Sequence, residues 1–203
     1  ENFGELRSNW VLPVEDLDLD VAANVQYQNL RYDSLLINDT AFAQSYFTAN
    51  LNPRVAVAYN DFQFNFGLNL YSVSTSSEFL DADSTAIYFF PQIQAQYVLV
   101  DEVLNIEGGI TGGLEQNTYR DLSRQNPYLN PEQISLPTRT TEIYAGLNGL
   151  LSGNTSFDLR VGYQIKRDMA LYYRSPNYRL ALDRRRGLDV RYSDVEVFYL
   201  KGG

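Results

Sequence analysis

The side chains that could do chemistry in this sequence fall into a few short groups. Asp16, Asp18 and Asp20 place carboxylates at alternate positions, as the opening of a calcium loop does. Val21 and Tyr27 stand where such a loop needs glycine and a bidentate glutamate. Read as a strand, the three carboxylates line one face near a turn, as a solvated rim or, alternatively, a cation site. Asp81 and Asp83 make a second, weaker metal candidate. Arg184, Arg185 and Arg186, close to Arg179 and Arg191, form the dense positive cluster. They could hold an anionic ligand or a lipopolysaccharide phosphate through charge-assisted hydrogen bonds, or pair in solvent with Asp183 and Asp189. Gln92, Gln94 and Gln96 offer three amides on one strand face. With the three arginines they are the candidate ligand-binding residues. Glu107 and Glu115 lie too far apart along one strand to act as a catalytic pair. Gly108, Gly109, Gly112 and Gly113 do not form a phosphate cradle, because no helix pattern follows them. They relieve crowding where a strand bends, or leave room for another element.

Composition removes most other chemistry. The 203 residues include no cysteine, no histidine and one methionine. No disulfide scaffold, thiolate site, Ser-His-Asp triad or histidine-ligated metal can be built. Neither an enzyme nor a cofactor is expected. With 25 acidic against 16 basic side chains the net charge is -9, which argues against a nucleic-acid partner. No apolar run approaches the eighteen or so residues of a membrane helix. Glu1 in place of an initiator methionine, and the abrupt Gly202-Gly203 finish, point to a piece of a longer polypeptide.

The elements that must position these groups are strands. Apolar residues recur with period two rather than with the helical spacing. Leu17, Leu19, Val21, Ala23, Val25 and Tyr27 alternate with Asp18, Asp20, Asn24, Gln26 and Gln28. The pattern returns at 47–59, 62–70, 87–99, 104–114, 143–151 and 157–165. A last strand, about 188–200, changes apolar phase near Ser193-Asp194, which indicates a bulge. Short turns at Pro13–Glu15, Asn60-Asp61, Asp101-Glu102 and Gly153-Asn154 alternate with long polar loops at about 33–43, 72–85, 116–139 and 168–187. All short turns then lie at one end of the sheet and all long loops at the other.

Strands of about 12 to 17 residues exceed the five or six usual in globular proteins, and crossing a bilayer takes roughly 9–11 tilted residues. One apolar and one polar face, short turns and long loops together predict an all-β, antiparallel, up-and-down transmembrane β-barrel. Eight clear strands and a partial one at Glu5–Leu12 suit a fragment of a larger barrel, with residues 1–203 as one barrel segment and no plug domain within it. Trp10, Tyr59, Phe62, Tyr97 and Phe157 would form one aromatic girdle, and Tyr27, Tyr46, Phe47, Tyr71, Phe89, Tyr144 and Tyr192 the other. Pro53 and Pro91 should mark bulges or the rim. A soluble β-sandwich or lipocalin-like barrel is the alternative, since a soluble meander also alternates.

The run Tyr97-Val98-Leu99-Val100-Asp101-Glu102-Val103-Leu104, then Gly108 to Asp121, resembles the barrel portion of TonB-dependent-receptor-like outer-membrane proteins. Asn126-Pro127-Tyr128-Leu129-Asn130-Pro131, Tyr144-Ala145-Gly146-Leu147 and Lys166-Arg167-Asp168-Met169-Ala170-Leu171 continue the likeness over roughly residues 86–175. The resemblance implies a bacterial outer-membrane location and a barrel of about 22 strands around an N-terminal plug. It also implies uptake of a nutrient or other small-molecule ligand, with membrane lipid as one partner. The plug domain and an energy-coupling protein would lie outside this chain. Without energised transport, the same barrel would serve as a structural or partner-binding anchor, with the 116–139 loop making the contacts.

Overall fold

The computed structural model describes residues 2–14, 17–32, 42–77, 82–100, 103–129, 135–152, 155–174 and 188–203. Among these residues, nine strands follow one another in chain order and form a single antiparallel sheet. They are β1 (Asn2–Val14), β2 (Leu17–Tyr32), β3 (Phe42–Tyr59), β4 (Phe62–Ser77) and β5 (Ala82–Val100). β6 (Leu104–Glu115), a short helix α1 (Tyr119–Gln125), β7 (Thr138–Ser152), β8 (Thr155–Arg174) and β9 (Leu188–Gly202) complete the order. The partial strand expected at Glu5–Leu12 is the full β1, paired with β2 from Asn2↔Asn29 to Val14↔Leu17.

Period two makes the two faces of this sheet chemically different. On β3, Gln44, Tyr46, Thr48, Asn50, Asn52 and Arg54 share the inner face, while Phe47, Ala49, Leu51, Val55 and Val57 share the outer one. On β4 the outer face is Phe62, Phe64, Phe66, Leu68 and Leu70, with Phe62 stacked on Phe64 and Phe64 on Phe66. The buried hydrophobic residues of the strands, Leu30, Tyr46, Val73, Phe90 and Tyr144, all stand on the inner face. Outer-face side chains remain open even when large: Phe89 is 72% exposed and Phe198 74%. A sandwich would cover this outer face with a second layer, and the described residues supply none.

The strands run 12 to 20 residues, longer on the loop side than the hydrophobic pattern suggests. Most of the loop expected at 72–85 is strand, because β4 and β5 stay paired from Ser72↔Ile87 to Ser77↔Ala82. Outer positions there become Ser72, Ser74 and Ser76. The outer face is no longer apolar there, so the hydrophobic alternation disappears while the backbone ladder continues. β8 likewise runs through to Arg174, beyond the start of the loop expected at 168.

A bulge interrupts the β8–β9 ladder. β8 places Arg167 and Asp168 opposite the single residue Asp194 of β9, with Asp168 at φ 55° and its N–H donating to the Asp194 carboxylate at 3.2 Å. This is the position at which the apolar phase of β9 changes, and the additional residue sits on the neighbouring strand. Pro53 and Pro91 cause no register shift. Pro53 pairs with Val21 and Pro91 with Leu68, and the β3–β4 ladder resumes at Arg54↔Gly67 in the same register as Leu51↔Leu70.

The helix α1 was not anticipated by the strand periodicity. Its start carries a short-range signal in the sequence: Thr118 followed three residues later by Asp121. The Thr118 hydroxyl accepts from the Asp121 N–H at 3.0 Å and so caps the first turn.

Candidate ligand-facing wall and inward loop

The polar inner face is organised by side chains that bridge strands. Asn52 on β3 donates across β4 to the Gln92 Oε1 on β5 at 3.1 Å, and also to the side chain of Asn69. Arg54 donates to Asn52 in turn, and Asn69 donates to the Gly112 carbonyl of β6 at 2.7 Å. Gln92 is thus part of an amide network. Gln94 is exposed on the same face, and Gln96 stands in register with Glu107. The structure therefore places all three glutamines on one inner-facing row, as the alternation requires.

Nearer the short turns of β6 to β9 lies a second cluster. Arg160 pairs with Glu107 at 3.2 Å and covers the Tyr144 ring at 3.8 Å from its centroid. Glu142 accepts from Gln164 at 3.1 Å and from the Tyr199 hydroxyl, while Lys201 sits 4.7 Å from the Tyr199 ring centroid. Two carboxylates, one guanidinium and one ammonium share this patch. Each has an oppositely charged or aromatic neighbour, an arrangement suited to holding a surface in place rather than to proton transfer. The sequence does not group these residues, because their partners lie on other strands. Their shared inner phase is the signal that could have grouped them.

The segment between β6 and β7 closes over this wall. β6 leaves its ladder with β5 after Ile110↔Ile93 while keeping all its pairs with β7. Glycine permits that turn inward. A Cβ at Gly109 would meet the Ile93 carbonyl, and one at Gly112 would lie 2.9 Å from the Phe90 Cβ and 3.0 Å from the Thr140 carbonyl. The crowding that Gly109 and Gly112 relieve comes from β5 and β7, the neighbouring strands of the sheet.

Beyond the bend, the Tyr46 hydroxyl donates to the Ser135 carbonyl at 2.6 Å and accepts from the Ser135 N–H at 3.1 Å. Asn117 donates to the Leu136 carbonyl at 2.7 Å and to the Thr138 hydroxyl at 2.8 Å. On the opposite side Tyr172 of β8 donates to the Leu122 carbonyl of α1 at 3.0 Å. Leu122 is 2% exposed, buried between α1 and the wall. The loop is tied at both flanks and lies against the inner face.

Several expected positions are corrected. Tyr46, Tyr71, Tyr144 and Tyr192 belong to the inner face and not to an interfacial girdle, because each occupies the polar phase of its strand. Tyr27, Phe47 and Phe89 do project outward at the loop side. Trp10, Tyr59 and Phe62 project outward at the short-turn side, with the Phe62 and Tyr97 rings 4.5 Å apart. Asp18 and Asp20 stand on the inner face beside the first short turn, with Asp20 opposite Arg54. Among the described residues no three carboxylates converge on one point. Asp16, Asp81 and the cluster Arg184, Arg185 and Arg186 lie outside the described residues.

No protein-family model matches the sequence, and no curated protein is significantly similar to it. Solved structures are similar in fold. The ferripyoverdine receptor of the outer membrane of Pseudomonas aeruginosa superposes with a TM-score of 0.59 at 11% identity, over 98% of this chain and 29% of that one. The copper transporter OprC gives 0.63 at 14% identity, over 98% and 33%. A chain of the FpvAI–pyocin S2 complex gives 0.61 at 8% identity, over 98% and 30%. The chain thus spans about a third of the length of the structures it matches. Its nine consecutive strands have the fold of the barrel wall of TonB-dependent-receptor-like outer-membrane proteins.

Proposed function

We propose that this chain is part of the wall of a bacterial outer-membrane barrel that admits a ligand, energised through a plug and coupling protein beyond these residues. The observation that carries this reading is the contrast between the two faces of one sheet. The outer face of β4 is apolar from Phe62 to Leu70, nine residues, and turns to serine at Ser72. That of β2 is apolar from Leu17 to Tyr27, eleven residues, and turns polar at Asn29. These lengths match the roughly 9–11 tilted residues that cross a hydrocarbon core. The inner face carries the amide network and the charged cluster, which suit a hydrated interior.

The likeness to a ferripyoverdine receptor and a copper transporter supports ligand uptake as the purpose of such a wall. The inward loop supports it further, because a segment held against the inner face narrows what can pass. It weakens the reading in which this loop serves outside partners, since Tyr46 and Tyr172 hold it against the wall.

Extraction tests the membrane assignment. The protein is expected in the outer-membrane fraction, released only by detergent, with an unheated electrophoretic mobility different from the heated one. A compact monomer in detergent-free buffer would overturn the reading. Energised uptake requires that ligand accumulation stop when the proton gradient is collapsed; accumulation that continues unchanged would leave a passive barrel.

A further inference from the structure

On the inner face beside the first short turn, β1 to β3 surround an open hollow of about 310 Å³. Six of its bordering residues form two rows across the strands, Asn9–Ala22–Asn52 and Val11–Asp20–Arg54. The other two, Trp10 and Val21, pair with each other between these rows, in the outward phase. Ala22 sets the depth. Its side chain is a single methyl group, while its neighbours across both strands are asparagines about 4.5–5.5 Å away.

Asp20 and Arg54 are register partners of opposite charge, and both are exposed. Neighbours of this kind ordinarily pair with each other. Here the arginine is held turned the other way. Its Nε donates to the Asn52 Oδ1, and its stem lies over β4, where a Cβ on Gly67 would be 3.0 Å from the Arg54 Cγ. Asn52 is fixed in turn by donating to Gln92 and Asn69. Among the described residues, the Asp20 carboxylate and the Arg54 Nη groups have no ionic or hydrogen-bond partner.

The unpaired charges decide what the hollow can hold. A lone cation on Asp20 would face the guanidinium, and a lone anion on Arg54 would face the carboxylate. A molecule with both an ammonium and a carboxylate answers both. Its ammonium donates to Asp20, and its carboxylate accepts from the Nη groups in charge-assisted bonds. Val11 gives its carbon skeleton an apolar neighbour, and the exposed Asn9 amide offers one more donor and acceptor. The volume is at the lower end of the roughly 300–1,000 Å³ of small-molecule sites, which suits a compact ligand.

We infer that this hollow is a subsite for a small zwitterion of the amino-acid class, held between Asp20 and Arg54. The inference deepens the uptake reading above and rests on it.

The test uses the full-length protein in detergent at neutral pH, first shown to be folded by its heat-modifiable mobility. Binding of L-valine is followed by saturation-transfer NMR and calorimetry. Isobutylamine and isobutyrate, which each keep one of its two charges, serve as counterparts. Valine is expected to bind about tenfold more tightly than either, the worth of one charge-assisted bond. Asp20→Asn should weaken valine about tenfold without weakening isobutyrate, and Arg54→Gln should do so without weakening isobutylamine. Asp158→Asn removes the same charge from the inner face beside another short turn and should leave valine binding unchanged. Three outcomes would overturn the subsite: valine does not bind at tens of millimolar, it binds no better than its two counterparts, or its binding is indifferent to the Asp20 and Arg54 variants. Each of these, in a protein that inserts normally, leaves the barrel reading standing. Failure to insert would instead remove the barrel reading, and this inference with it.

Discussion

Tyr46 and Ser135 exchange two hydrogen bonds across 89 residues of chain, the phenol donating to the Ser135 carbonyl and accepting from its N–H. Tyr46 is 3% exposed and Ser135 5%, so this pair is shielded from water and fixes the inward loop to β3. The loop thereby becomes part of the inner wall.

Removing the phenol should release that loop and little else. Tyr46→Phe leaves the Ser135 N–H and carbonyl without their partner, at a cost of about 1–3 kcal/mol. Hydrogen exchange of residues 116–137 should accelerate, while exchange in the β2–β3 ladder stays slow. Unchanged protection of the loop would show that other contacts hold it.

The inward bend of β6 should be sensitive to any side chain at Gly112. Gly112→Val places a Cβ within 2.9 Å of Phe90 and 3.0 Å of the Thr140 carbonyl. Destabilisation of about 1–3 kcal/mol is expected, as for overpacking elsewhere. Urea unfolding from lipid vesicles would measure it, with Gly4→Val as the control, because a Cβ at Gly4 meets nothing within 4 Å.

How much of this was legible in the sequence depends on whether one strand or several carry the information. The outer belt of β4 is written in one run, Phe62 to Leu70, and its strand is recovered directly. The strand ends are not, because Ser72, Ser74 and Ser76 lie above the belt, where the outer face no longer selects for hydrophobicity. Tyr46 and Phe47 show the same limit within a single turn of pleat. Both are aromatics near a strand end, yet successive side chains point oppositely, so one holds the loop and the other faces outward. The row Gln92, Gln94 and Gln96 could be assigned to the inner face from phase alone. That Gln92 is engaged by Asn52, two strands away, depends on register and twist. The helix α1 is too short for a periodic signal, and only Thr118 and Asp121 announce it.

Adjacent residues of β4 should respond oppositely to the same substitution. Phe66→Arg puts a guanidinium near the middle of the apolar belt and should cost about 2–4 kcal/mol in lipid. Asn65→Arg, directed to the inner face, should cost little. Equilibrium unfolding from bilayers reads both, and equal costs would contradict the assignment of faces.

The Glu107–Arg160 pair should contribute modestly. Their side chains are 29% and 35% exposed, so a double-mutant cycle with Glu107→Gln and Arg160→Gln should give a coupling of about 0.2–1 kcal/mol. The coupling should shrink as salt is raised from low to physiological levels, because solvent ions screen part of it.

The central claim is that one sheet faces lipid on one side and water on the other. The sequence contains no cysteine, so single cysteines can be introduced one at a time from Phe62 to Tyr71 and spin-labelled in lipid vesicles. Relaxation by oxygen, which concentrates in hydrocarbon, is then compared with relaxation by a water-soluble nickel chelate. Positions 62, 64, 66, 68 and 70 should favour oxygen, and positions 63, 65, 67, 69 and 71 should favour the chelate or be shielded from both. A chelate-accessible profile at all ten positions, or an oxygen signal without period two, would contradict the account.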